Sequence, residues 1–235
     1  VMTVGPGGIQ LGGDVTFTGS SSLDFGTAAV TNTASHNITV GLNTLAIGGS
    51  ISGPSGAGLT KLGNGTLQLY GANTYSGTTL VAKGTLSLTN NGSLTNSPLV
   101  VSNSTFDISA LNAQSTVPSL SLTNSTLVVS GLSSTVTNIA AAILNAGGTT
   151  NLINITSLPP ATGYPMIFHI IQAPTVNGTL NFGLGSLPPS STFVGYISNN
   201  VVNNSVDLVL TSGPTPVNFF KWRGINNGTG LPDGT

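Results

Sequence analysis

The chain has 235 residues, only 4% of them charged, and a formal net charge of −1. That balance gives no electrostatic steering toward nucleic acid or anionic lipid. Cysteine is absent, which excludes disulfides, zinc–thiolate sites and thiol catalysis; no apolar run approaches the ~18 residues of a membrane-spanning helix.

Residues 1 to 55 read as short strands between glycines. Ile9-Gln10-Leu11, Val15-Thr16-Phe17, Leu23-Asp24-Phe25, Ile38-Thr39-Val40 and Leu45-Ala46-Ile47 all alternate. Residues 56 to 88 are the most regular stretch. Leu59-Thr60-Lys61-Leu62, Thr66-Leu67-Gln68-Leu69-Tyr70 and Thr85-Leu86-Ser87-Leu88 alternate, and Thr78-Thr79-Leu80-Val81 does so less strictly. Gly63-Asn64-Gly65, Gly71-Ala72-Asn73 and Gly84 stand between them. Strands this short, turning this often, suit a chain that coils round itself and stacks each turn on the last. Leu59, Leu67, Leu69, Leu80, Leu86 and Leu88 are the expected core, in aliphatic stacks along the axis. Asn73 is expected to turn the chain or to join an amide ladder inside a corner.

The same stretch resembles the autotransporter-associated β-strand repeat, or passenger-associated transport repeat. The resemblance rests on Gly58-Leu59-Thr60-Lys61, Gly63-Asn64-Gly65-Thr66-Leu67, Gly71-Ala72-Asn73-Thr74-Tyr75-Ser76-Gly77-Thr78-Thr79 and Gly84-Thr85-Leu86. It implies a secreted β-solenoid of the bacterial outer cell surface, with no catalytic residues to carry over. The 235 residues do not include the translocator barrel that the family places beside such passengers.

Farther along, Thr105-Phe106-Asp107-Ile108, Leu120-Ser121-Leu122 and Thr126-Leu127-Val128-Val129 continue the alternation. Ile139 to Leu144 fits a helical turn or a buried strand, and periodicity cannot separate the two. Tyr164 to Ile171 reads as a strand buried on both faces. Phe193 to Ile197 and Val206 to Leu210 read as a closing hairpin. The expected fold is all-β: a right-handed β-solenoid over 1–158, with wider C-terminal coils or a small β domain over 159–212. Residues 213–235 follow as an extended tail or the start of the next module.

Stacking explains the scarcity of charge. Equivalent side chains on successive coils lie about 4.8 Å apart. Like charges at that spacing repel, whereas Asn amides and Thr hydroxyls can hydrogen-bond along the stack. The carboxylates Asp14, Asp24, Asp107, Asp207 and Asp233 lie far apart in sequence, and His36 and His169 are too few for a histidine metal site. No cofactor is expected, and no enzyme activity. Asn-x-Ser/Thr sequons, nine in number and including Asn103 and Asn124, are read as a product of an Asn- and Thr-rich composition.

The leading expectation is therefore a structural protein that assembles head to tail with copies of itself into a fibre, sheath or surface layer. Val217, Phe219, Phe220 and Trp222 of the tail would meet the open first coil at Val1, Val4, Ile9 and Leu11. A passenger or stalk module of a secreted adhesin, with surface glycans or neighbouring cells as partners, is the alternative. A polysaccharide-active β-helix enzyme is a third.

Overall fold

The computed structural model describes residues 2–5, 8–189 and 191–216. Strand β1 (Met2–Gly5) folds back on β2 (Gly8–Leu11). The coil then runs through β2, β3 (Val15–Phe17) and β4 (Leu23–Asp24), then β5 (Val30–Asn32), β6 (His36–Val40) and β7 (Thr44–Ile47). Next come β8 (Ile51–Ser52), β9 (Leu59–Leu62) and β10 (Thr66–Leu69). Later turns keep two strands each: β11 (Thr79–Val81) with β12 (Thr85–Asn90), and β13 (Leu99–Ser102) with β14 (Thr105–Leu111). The same holds for β15 (Ser115–Thr123) with β16 (Thr126–Val129), and β17 (Ile139–Gly147) with β18 (Asn151–Ile155). Strands β19 (Met166–Gln172), β20 (Thr175–Asn177) and β21 (Phe182–Ser186) complete the coil, and a hairpin of β22 (Val194–Asn200) and β23 (Ser205–Ser212) follows.

The result is an all-β solenoid of about seven turns. Its strands stack into sheets of 4, 8 and 11 members. The 4-stranded sheet is β1-β2-β5-β8; the 8-stranded sheet runs from β4 to β21; the 11-stranded sheet runs from β3 to β19 and on to β23 and β22. Every coil-to-coil pairing is parallel, and only β1–β2, β19–β23 and β23–β22 are antiparallel. Ile139 to Leu144, ambiguous in sequence, is strand throughout.

In-register stacking builds the core as columns. Leu45, Leu67, Leu86, Phe106, Leu127 and Ile153 stand one above the next in the 8-stranded sheet, all buried. Leu59, Leu69 and Leu88 are buried as well. Leu80 is a correction: it is only half-buried, because Thr79 and Val81 take the inward positions of β11. A buried hydroxyl chain holds Thr79 there. Its Oγ1 lies 2.6 Å from Tyr75 Oη and 2.7 Å from Ser97 Oγ, which in turn donates to the Gly77 carbonyl. Strand β19 also departs from expectation. Ile167 is 46% exposed, so the strand is buried on one face only.

The corner between the 11-stranded and 8-stranded sheets explains much of the composition. A residue with positive φ recurs there at Asn43, Gly63, Gly84, Asn103, Asn124 and Gly148. Only Gly, and Asn at modest cost, adopts that conformation readily. At Gly63 an added Cβ would also meet the Val40 carbonyl oxygen at 2.2 Å. At Asn103 and Asn124 the next residue is a serine that caps the previous turn: Ser104 Oγ donates to the Val81 carbonyl and Ser125 Oγ to the Val101 carbonyl. A threonine then opens the strand at Thr105 and Thr126. Two Asn-Ser-Thr sequons, at Asn103 and Asn124, thus follow from corner geometry.

Asn73 ties three turns together inside another corner. Its Oδ1 accepts from the Ile51 N–H, and its Nδ2 donates to the Gly71 and Ser93 carbonyls. Asn73→Leu keeps the number of side-chain heavy atoms and loses all three bonds; the buried Ile51 N–H loses its acceptor, while the Gly71 and Ser93 carbonyls keep their backbone donors. The expected loss is about 2–4 kcal/mol of unfolding free energy. Denaturant titration checks it; an unchanged midpoint would show that Asn73 contributes nothing.

Candidate functional site

Three places on the rod are candidates: its ends, its few ionisable groups, and the flank of its widened C-terminal turns. At the N-terminal end Ile9 and Leu11 are core residues, 4% and 1% exposed. Their strand is not an open edge, since β1 pairs with it from Met2↔Leu11 to Gly5↔Gly8, with Val4 opposite Ile9. This corrects the expectation of an uncovered first coil on that sheet. At the other end β23 covers β19, and Asn199 seals the start of β21. The Asn199 carboxamide accepts from the Phe182 N–H at 3.0 Å and donates to the Phe182 carbonyl at 2.9 Å. Val1, Val217, Phe219, Phe220 and Trp222 lie outside the described residues.

The described carboxylates do not converge. Asp14 accepts from the Asn37 backbone and side chain, and those bonds hold its carboxyl below the usual carboxylate range. Asp24 accepts from the Tyr70 hydroxyl at 2.8 Å, which raises the phenol above its usual range. Asp107 accepts from the Ser109 N–H. Asp207 is buried on the outer face of β23 and meets His169 Nδ1 at 2.7 Å. Ser205 Oγ donates to Asp207 rather than to the imidazole, so the trio lacks the hydroxyl-to-histidine step of a nucleophilic triad. Sequence reasoning missed this pair, because 38 residues separate its members. Among the described residues no cluster of three metal-binding side chains forms.

Lys61 is the least expected group. It lies in an inward column between Ile38 and Val81 and is 1% exposed. Its stem packs in the core while the ammonium reaches the corner, donating to the carbonyls of Leu62 (2.8 Å), Gly63 (2.8 Å) and Lys83 (3.0 Å). In this turn and the next the corner carries Gly63 and Gly84, with no hydroxyl to do what Ser104 and Ser125 do beyond; the ammonium fills that role. Burial pushes its pKa down to about 8.

The third place arises from a change of pitch. One turn takes 20 residues at Lys61↔Val81 and 32 at Ile139↔Ile171. The 4-stranded sheet ends at β8, and beyond it, among the described residues, that flank carries only the isolated bridge Ala72↔Ser93. Most of the added residues lengthen strands β17 and β19, and the flank itself is crossed by loops at 130–138 and 156–165. Between them lies a cleft of about 580 Å³, lined by Leu132, Ser133, Ser134, Thr162, Tyr164, Pro165 and Ile167 among others. Pro159-Pro160 signalled a change of region in the sequence, but no spacing rule pointed to a cleft.

Comparison with known proteins fits the regular part of the rod. Residues 59–88 match the Passenger-associated-transport-repeat family, so the chain carries that repeat. An 82-residue stretch, 35% of the chain, is 38% identical to part of the Adhesin BmaC autotransporter of Brucella suis biovar 1 (strain 1330). That match spans 2% of the relative's length. No solved structure matches the chain.

Lys61 makes stability depend on pH. The unfolded chain keeps this proton up to about 10.5, while the folded chain releases it near 8. Between those values the unfolded state binds more protons, so stability rises with pH. The gain is on the order of 2 kcal/mol and is complete above the unfolded value. Lys61→Met should abolish the rise; tyrosine ionisation, common to both proteins, cancels in the difference. Denaturation midpoints at several pH values test this, and parallel curves for the two proteins would refute it.

Proposed function

We propose that the chain is a non-catalytic rod module of an autotransporter-type surface adhesin. The observation that carries this reading is continuity of register. Strands β9 to β12, which hold the passenger repeat, pair in parallel with β6 and β7 before them and with β13 and β14 after them. The repeat is thus an ordinary turn of one longer stack, and a stack of identical steps makes a stiff spacer. The likeness to an adhesin autotransporter supports the surface setting. A non-catalytic role is supported by carboxylates that each engage separate partners.

Assembly into fibres of its own copies, the other reading, would draw on open strand edges at both ends. Antiparallel β1 caps β2, and antiparallel β23 and β22 cap β19, which interrupts the parallel register that a head-to-tail stack would continue, so the stalk reading takes precedence. The edges at β3 and β4 are short, a known guard against edge-to-edge pairing, while β22 with seven residues and β21 with five end the same two sheets at the other end.

Antibodies against residues 8–216 should label intact cells of the producing organism, and proteinase K should remove the label without lysis. The purified chain should cleave no polysaccharide. Antigen reachable only after lysis would overturn the surface reading. Turnover of a glycan, abolished by Asp207→Asn, would overturn the non-catalytic one.

A further inference from the structure

We propose that the cleft between loops 130–138 and 156–165 is a binding site for neutral carbohydrate. The inference goes beyond the rod reading and does not depend on it, since a solenoid in any setting could carry such a site.

The first support is where the irregularity falls. A rod needs only stacked turns, and the middle turns achieve this with about 20 residues. The added residues of the later turns extend strands β15, β17 and β19 toward one flank, where Ser115 pairs with Ile139 and Ser119 with Ile143. Loops 130–138 and 156–165 cross the flank that the 4-stranded sheet has vacated, and between them they enclose a cleft of about 580 Å³. Loops that depart from a rigid scaffold to build a concavity are the usual seat of ligand binding.

The second support is the chemistry of the walls. Ser133, Ser134 and Thr162 place hydroxyls at the cleft, each both donor and acceptor. Tyr164, Pro165 and Ile167 supply an apolar wall, on which Ile167 is 46% exposed. A sugar ring presents the matching pair of surfaces: C–H groups on its faces and hydroxyls at its rim. Among the described residues no charged side chain lines the cleft. A phosphate, sulfate or uronic acid would therefore lose its hydration with no cation in return. That argues for neutral sugars over acidic ones.

The third support is that Tyr164 is fixed before any ligand arrives. Its ring meets Phe193 edge-on at a centroid distance of 6.5 Å, and its hydroxyl donates to the Pro214 carbonyl at 2.9 Å. A platform held at both ends loses little entropy on binding.

The test uses the full chain on immobilised neutral and acidic oligosaccharides. Neutral ones should be retained, and retention should not change between about 0.1 and 0.5 M NaCl, because no ion pair is involved. Ser134→Trp and Thr162→Trp, at exposed loop positions, fill the cleft and should weaken binding about tenfold or more. Leu42→Asp, at an exposed corner elsewhere on the rod, should leave it unchanged. Circular dichroism confirms that each variant is folded. The proposal fails if no neutral oligosaccharide is retained, if acidic ones are preferred, or if the Trp variants bind as well as the parent. Selection of a peptide rather than a sugar at this cleft would also overturn it. So would a shift in the emission of Trp222, the sole tryptophan, on Ile167→Asp in the absence of sugar, since the chain's own C-terminal segment would then be the occupant.

Discussion

Everything in this molecule depends on one repeated step: a strand pairing in parallel, in register, with its counterpart one turn earlier. That step sets a spacing of about 4.8 Å between equivalent side chains. A residue is therefore judged against its column. Leucines above leucines give a continuous core without a second layer of structure. Thr44, Thr66, Thr85, Thr105 and Thr126 form one column along the 8-stranded sheet. Ser121, Asn145 and Asn177 form another, in which Asn177 donates to Asn145 and Asn145 to Ser121, each at 2.9 Å. Here the amide ladder anticipated from composition is visible as hydrogen bonds.

The same spacing explains where the rare charges sit. Asp107 stands between Ser87 and Val128, Asp24 beside Ala46, and Lys61 between Ile38 and Val81. No column among these places one charge on another. Lys61 shows that even a buried cation is tolerated when carbonyls face it. The corner supplies three, because its glycines leave them without a side-chain donor. Desolvation and hydrogen bonding then act in opposite directions on one ammonium. A short polar residue at the same corner avoids that opposition, and Ser104 and Ser125 take this course in the following turns.

The fold was largely legible because alternation and turn chemistry are local. Leu59, Leu67, Leu69, Leu86 and Leu88 could be placed inward from their own strands alone. Leu80 could not, since Thr79 is held inward by Tyr75 and Ser97, residues outside its strand. Lys61 alternates like a core residue, but its charge argued for solvent; what decides its burial is the Gly corner beside it. The hairpin of β22 and β23 is readable from sequence; Gly5-Pro6-Gly7-Gly8 is also a turn signal, but the four residues Met2–Gly5 are too short a segment to show where they pair. The cleft was illegible for a deeper reason. Its walls are loops with no period, brought together by the difference between a turn of 20 residues and one of 32.

That difference also shows how such a rod can vary without losing itself. Two of its faces are long ladders, and an insertion within a strand there would shift every side chain beyond it to the wrong face. The third face gives up its strands after β8. Residues can be added at the strand ends that face that side while the ladders before and after keep their register: β17 runs to nine residues, yet Leu127 still pairs with Ile153. Regular stacking and local irregularity are thus compatible because they occupy different faces. A flank freed from pairing is where a repetitive surface protein can acquire a site without rebuilding its core.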